Sequence, residues 1–309
     1  MAKNRGGIPV HGWMVIDKPS GIGSSAVVGK VRRCLNAQKA GHGGTLDPLA
    51  TGILPIALGE ATKTTAYAMD GTKTYRFTVA FGSETETDDM EGAVTETTDR
   101  LPNDAAIEKA LPAFIGEIEQ TPPKYSAIKV DGKRAYKLAR DGKSVHIGPR
   151  KVFVKRLTHV SRDSETRATF EAVTGKGVYI RALARDLGRR VGSLGHVAMI
   201  RRTRVGPFSE KTAISLEMLE TLGHSAAPSR HLLPVMTALD DIPALAVTEA
   251  EARRLGMGQG IAALPVVQRS SVEGLSRGEA VVVAVGGSGP VALARIQGGE
   301  IRPVRVLNL

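Results

Sequence analysis

The sequence predicts an α+β chain in two parts, a large body over residues 1–240 and a small β-rich module over 243–309. Three observations predict it. Apolar and polar residues alternate at 74–81 and 166–174, the two-residue period of half-buried strands. Elsewhere they recur at helical spacing, as in Ile180, Leu183, Ala184, Leu187 and Val191. After Asp240-Asp241-Ile242-Pro243 the pattern changes to short Val- and Ala-rich runs separated by glycines. A chain of 309 residues is long enough for each part to bury its own core.

In chain order, residues 12–17 read as a buried strand stopped by Pro19 and Gly21. Ser24 is expected to cap a helix carrying Val27, Val28, Val31 and Leu35 on one side. The strand at 74–81 puts Tyr75, Phe77, Val79 and Phe81 on one face. Asp104 is expected to cap a helix with Ile107, Ala110, Leu111, Phe114 and Ile115 at helical spacing, and Pro122-Pro123 ends regular structure. After the strand at 166–174, Gly175-Lys176-Gly177 turns, so Tyr179 and Arg181 fall at a strand-to-helix junction. Beyond the linker, Thr248 and Glu251 form a capping box, and 280–285 and 291–296 read as strands.

Lys and Arg number 42 against 31 acidic residues, a net charge of +11. That excess points to a polyanionic partner, nucleic acid ahead of a membrane surface. Its distribution is uneven. Residues 76–120 carry three basic and eleven acidic side chains, 121–160 eleven and two, 161–210 ten and five, and 211–309 nine of each. Cations interleaved with Tyr125 and Tyr136 in the second of these segments fit a surface that tracks phosphate. Cys34, the one cysteine, lies in an apolar helical pattern and permits neither a disulfide within the chain nor a Cys-rich zinc site. No histidine pair has metalloprotease spacing, and no apolar run has signal-peptide or membrane-spanning length, so a soluble cytoplasmic protein without a metal is expected.

Gly21-x-Gly23-x-x-Ala26 formally matches a dinucleotide fingerprint with Asp47 downstream. Lys18 and Pro19 separate its glycines from the strand, however, and the residues before Asp47 do not read as the required second strand. Asp88-Asp89-Met90-Glu91 lacks the alternating spacing of a calcium loop and reads as a solvated turn. The informative segment is Gly41-His42-Gly43-Gly44-Thr45-Leu46-Asp47-Pro48-Leu49-Ala50-Thr51-Gly52. Its glycines let backbone approach a ligand, and Asp47 stands as a carboxylate near the His42 imidazole.

This segment resembles the catalytic loop of the bacterial tRNA pseudouridine-55 synthases, the TruB family. Asp17-Lys18-Pro19-Ser20-Gly21, Lys73-Thr74-Tyr75-Arg76, Gly82-Ser83-Glu84-Thr85-Glu86-Thr87-Asp88-Asp89, Pro123-Lys124-Tyr125-Ser126-Ala127-Ile128-Lys129 and Lys176-Gly177-Val178-Tyr179-Ile180-Arg181 are similar to its other motifs, in order. The resemblance covers about residues 10–240; Gly43 departs from the family's usual threonine. It implies a mixed, largely antiparallel pseudouridine-synthase core, an RNA-clasping thumb inserted at about 123–151, and a C-terminal PUA-like pseudo-barrel.

The implied reaction is isomerisation of uridine 55 in the tRNA T loop to pseudouridine. The C1′–N1 bond breaks and a bond from C1′ to C5 forms, with no redox change, so no cofactor is expected. By resemblance Asp47 is the catalytic carboxylate, acting as nucleophile or as base, and Arg181 pairs with it. Asp89 is a second carboxylate near that arginine. Tyr75 stacks on the flipped uracil, Tyr179 lines the other side of the pocket, and His42 fills the vacated space or touches neighbouring bases. Lys129, with Lys124, Lys133, Arg134 and Lys137, contacts phosphate. The implied partner is the T arm of tRNA, bound by a monomer with no obligate protein partner and no membrane. A tRNA-folding chaperone and a guide-RNA-dependent synthase are the alternatives, and the long basic segment favours stand-alone action.

Overall fold

The structure, a computed structural model, describes residues 6–130, 132–142, 145–222, 228–270 and 281–309. The chain begins with β1 (Gly12–Lys18), α1 (Ser24–Cys34), β2 (Ala40–His42), β3 (Thr51–Leu58), α2 (Thr65–Asp70) and β4 (Lys73–Phe81). An acidic hairpin of β5 (Ser83–Thr85) and β6 (Val94–Thr97) follows, then α3 (Asp104–Ala110) and β7 (Gly116–Gln120). The basic segment holds β8 (Lys129–Val130), β9 (Lys133–Arg134) and α4 (Ala135–Arg140). Next come β10 (Arg150–Ser164), β11 (Arg167–Thr174), α5 (Ile180–Arg190), β12 (Gly195–Val205), β13 (Phe208–Ser209), β14 (Ile214–Ser215) and α6 (Leu216–Leu222). The C-terminal part contains β15 (Ala244–Ala246), α7 (Glu249–Gly256), β16 (Ile261–Ala262), α8 (Ala263–Arg269), β17 (Val281–Gly286), β18 (Gly289–Gln297) and β19 (Glu300–Val306).

The main sheet runs β14-β1-β3-β12-β4-β11-β10-β7, with β2 on β3 and β13 on β12. Only the β1–β14 and β3–β12 pairs are parallel among its described strands, so it is mixed and largely antiparallel. Both faces are covered. Val27 and Val31 of α1, Ile107 of α3 and Leu183 and Leu187 of α5 pack one side, while Trp13, Ala68, Phe208 and Val235 close the other. A sheet buried on both faces needs near-continuous apolar strands, which is why residues 12–16 do not alternate. At the centre Phe77 and Phe170 stack with ring centroids 5.5 Å apart.

The antiparallel pairing of β1 with β3 excludes the βαβ geometry that a dinucleotide fingerprint requires. β10 has no clean sequence signal because three register shifts interrupt its two-residue period. The C-terminal sheet, ordered β15-β17-β18-β19-β16, encloses a separate core around Leu245, Leu255, Val266 and Ile301. The Thr248/Glu251 capping box forms as read, and the strand read at 280–285 begins at Val281, since Ala280 lies outside the described residues. The two parts meet where Tyr67 of α2 packs with Val283 and Leu293, and where Lys63 Nζ donates to the Val306 carbonyl at 2.7 Å.

Two helix starts differ from expectation. Gly23, not Ser24, is the N-cap of α1, because the Ser24 hydroxyl is engaged elsewhere. The α3 cap is Asn103, whose side chain accepts from the Ala106 amide at 2.8 Å; Asp104 is the first helical residue. Helix α3 also ends at Ala110, with Leu111–Phe114 as a 3-10 turn and Ile115 exposed. Asn103→Ala should therefore lower stability by about 1 kcal/mol in urea denaturation, whereas Asp104→Ala should cost clearly less. Equal costs would contradict this assignment of the cap.

Candidate active site

The segment between β2 and β3 has no regular structure, so donors from elsewhere satisfy its carbonyls. Arg202, on β12 and only 1% exposed, donates to the carbonyls of Gly44 (2.9 Å), Thr45 (3.1 Å) and Ile53 (2.9 Å). Ser24 Oγ donates to the Leu46 carbonyl and accepts from the Leu46 amide, both at 2.8 Å. Lys18 Nζ donates to the carbonyls of Pro19, Ile22 and Pro48 at 2.8, 2.9 and 3.0 Å. Asp47 thus lies between two anchored residues. Gly52 must be glycine: its φ is +100°, and a Cβ there would stand 2.2 Å from the Arg202 carbonyl oxygen.

Arg181 leaves the first turn of α5 with its side chain 5% exposed. One guanidinium nitrogen lies 2.9 Å from Asp47 Oδ2 and donates to the Tyr125 carbonyl at 2.8 Å. Its twin lies 3.2 Å from Asp89 Oδ2 and donates to the Thr87 carbonyl at 2.8 Å. The two carboxylates differ in setting. Asp89 is buried and also accepts from Thr87 Oγ1 and the Glu91 amide, while the Asp47 side chain is 39% exposed and opens onto a cavity of about 350 Å³.

Tyr75, Tyr179, Asp47 and Arg181 line that cavity. Tyr179 is the residue before α5, its backbone held by reciprocal hydrogen bonds with the buried Gln120 amide (2.8 and 3.1 Å), and burial pushes its phenol pKa up. The structure brings neither His42 nor Lys129 to the cavity wall. His42 ends β2, accepts from the Gly44 amide through Nδ1 (3.4 Å), and burial, with Arg202 nearby, holds its imidazole pKa below the usual value. Lys129 is exposed on the β8–β9 hairpin, in line with exposed Lys124, Lys133, Arg134 and Lys137.

The solvated-turn reading of Asp88-Asp89 is overturned: the two residues are only 8% and 2% exposed. Arg181, Arg185 and Arg189 recur every four residues along α5 and engage Asp89, Asp88 (2.7 Å) and Glu84 (2.6 Å). Burial, opposed by Arg185, raises the Asp88 carboxyl pKa. Arg185 also donates to the Thr121 carbonyl at 2.8 Å, so the helix ties the acidic hairpin to the root of the basic segment. Much of the positive charge of 161–210 is therefore neutralised internally. Sequence reasoning gave no site role to Lys18 or Arg202 and read Ser24 only as a helix cap; the lysine preceding Pro19 and an arginine at an inward strand position were the available signals.

A family model described as TruB family pseudouridylate synthase (N terminal domain) matches residues 32–180. One for the tRNA pseudouridylate synthase B C-terminal domain matches 181–240. The tRNA pseudouridine synthases B of Rhodospirillum rubrum and Caulobacter vibrioides are each 52% identical to the chain over 309 residues, covering all of both sequences. Among solved structures, a Cbf5-Nop10-Gar1 complex contains a chain of similar fold (TM-score 0.75, 24% identity, 96% of this chain and 85% of that one). A chain of the archaeal box H/ACA sRNP Nop10-Cbf5 complex is comparable (TM-score 0.74, 22% identity, 100% and 93%).

Burial lowers the Lys18 pKa to about 8 from 10.5. The folded protein releases this proton near pH 8 and the unfolded chain near 10.5; between them the unfolded chain binds more protons, so this group's contribution to stability rises with pH. Lys18→Met should consequently destabilise more near pH 10 than near pH 7.5, by about 2 kcal/mol in urea denaturation. A difference that stays flat across that range would refute the buried-ammonium account.

Proposed function

The chain belongs to the TruB family of pseudouridylate synthases, and from that premise we propose that it converts uridine 55 in the T loop of tRNA to pseudouridine, acting alone. The observation that carries this reading is the Asp47–Arg181 pair on the wall of a cavity flanked by Tyr75 and Tyr179. Arg181 holds one Asp47 oxygen, and the other accepts no hydrogen bond from the described residues. That free oxygen is the chemical resource. Addition to the sugar or base, and proton abstraction toward a glycal, both require an anionic carboxylate of fixed direction. Arg181 fixes the direction of that carboxylate.

The uracil must leave the T-loop stack to reach Asp47, and the face of Tyr75 replaces part of the stacking it loses, with Tyr179 opposite. Once the C1′–N1 bond breaks, the base turns within the cavity until C5 faces C1′. Bond formation from C1′ to C5, loss of the C5 proton and protonation of the freed N1 complete an isomerisation that leaves the atom count unchanged. Asp89 serves by holding the far side of Arg181. His42 acts from the base of the loop on the space the flipped base leaves. The exposed cations of 123–151, Lys129 among them, engage phosphates and supply affinity without sequence choice.

In this reading residues 1–240 form the catalytic domain, with 123–151 as its thumb. Residues 243–309 form a PUA-like RNA-binding domain that works by shape and hydrogen bonds, its neighbourhood being neutral overall. The protein acts in the cytoplasm as a monomer with no cofactor; no described helix is long and apolar enough to cross a membrane.

Incubating the purified protein with an unmodified tRNA transcript, without guide RNA, should give pseudouridine at the T-loop position on sequence mapping. Asp47→Asn should reduce the rate about a thousandfold or more while tRNA binding persists. Product that appears only with a guide RNA, or an active Asp47→Asn, would overturn the reading.

A further inference from the structure

Four cations contribute to the wall of the cavity: Lys73, Lys176, Arg181 and Arg202. Three are buried and committed. Arg181 and Arg202 hold the groups described above, and Lys73 Nζ donates to the carbonyls of Met69 and Gly71. Lys176 differs in every respect. Its side chain is 71% exposed, and its Nζ meets one described group, the Asp70 carboxylate at 3.0 Å, itself 61% exposed.

Stability does not explain this pair. Water screens two exposed charges, and ordering a lysine side chain cancels much of what remains. Asp70 is moreover the last residue of α2, where the helix dipole disfavours a carboxylate. Lys176 occupies the middle of the Gly175-Lys176-Gly177 turn, with Gly177 at φ +81°, so its ammonium can change partners without disturbing a packed side chain. Both residues line the cavity yet stay in water, which places them at its mouth.

A nucleotide whose base enters the cavity must leave its phosphates at that mouth. A phosphodiester carries the same charge as Asp70 and competes for the same ammonium. We propose that Lys176 binds a phosphate flanking the flipped nucleotide, and that Asp70 holds the lysine only until RNA displaces it. This rests on the cavity being the uracil site. Once displaced, Asp70 is solvated, at little cost for so exposed a group, and keeps its electrostatic attraction to Lys73.

The exchange predicts opposite effects from the two partners. With the full-length enzyme and a tRNA transcript, Lys176→Ala should raise KM about tenfold, and Lys176→Arg should recover most of the loss. Asp70→Asn should lower KM by a factor of about two to five, because the lysine is already free. As salt increases, log KM should climb more steeply in Asp70→Asn than in Lys176→Ala, by about 0.7 per log unit, the mark of one single-strand phosphate contact. A merely structural ion pair would move both variants in the same direction with equal salt slopes, and that result would overturn the proposal while leaving the function intact. Failure of the wild-type protein to form pseudouridine in any tRNA would overturn the function and the proposal together.

Discussion

Buried cations that satisfy the carbonyls of irregular backbone are the constraint on which the site depends. Moving a charge out of water costs several kcal/mol unless it is paired and hydrogen-bonded. Lys18, Arg181 and Arg202 meet that condition with eight carbonyls and two carboxylates among them. The dependence runs both ways. The segment from Gly44 to Pro48 has no ladder of its own, so the carbonyls of Gly44 and Thr45 find their donor in Arg202 and that of Pro48 in Lys18 and the Gly21 amide. Asp47 owes its position to atoms on β1 and α1 near the start of the chain and on β12 about 150 residues beyond it. A carboxylate on a loop therefore behaves as though it stood on rigid scaffold.

Arg181 extends the same logic from the loop to the acidic hairpin and the basic segment. One guanidinium joins Asp47, the acidic hairpin through Thr87 and Asp89, and the root of the basic segment through Tyr125. Arg185 repeats the last link at Thr121, and Tyr125 closes the circuit by donating its hydroxyl to Glu86 at 2.7 Å. The acidic segment 76–120 is accordingly less a repulsive patch than the counter-charge of α5. Lys124, Lys129, Lys133, Arg134, Lys137 and Arg140 remain exposed. The net charge of +11 overstates the basic surface of 161–210 and describes that of 121–160 well.

Features governed by local rules were legible in the sequence. The strand ending at Phe81, the helix starting at Ile180 and the Thr248/Glu251 box depend on neighbours within a few residues, and all appear where periodicity placed them. Features governed by distant partners were not. Ser24 looks like a cap because serine at a helix start bonds the helix's own amides, but here Leu46, 22 residues away, takes the hydroxyl. Asp88 and Asp89 look solvated because nothing adjacent neutralises them, and their arginines lie 97 and 92 residues downstream. The site itself was legible only through its resemblance to known motifs, since an Asp-Pro step alone does not distinguish a turn from a catalytic centre.

The departure at Gly43 has a steric cause. A Cβ there would come within 2.9 Å of the Ala68 Cβ and 3.4 Å of the Trp13 ring, and Trp13 and Ala68 are themselves fully buried against one another's neighbours. The family's usual threonine would require α2 to sit further from the loop. In this chain α2 packs against the loop, and glycine is the residue that fits the space between them. The same helix packs Tyr67 against the C-terminal sheet and carries Asp70 to the cavity mouth. Gly43 is thus coupled, through the six residues of α2, both to the packing of Tyr67 against the C-terminal sheet and to the Asp70–Lys176 ion pair at the cavity mouth.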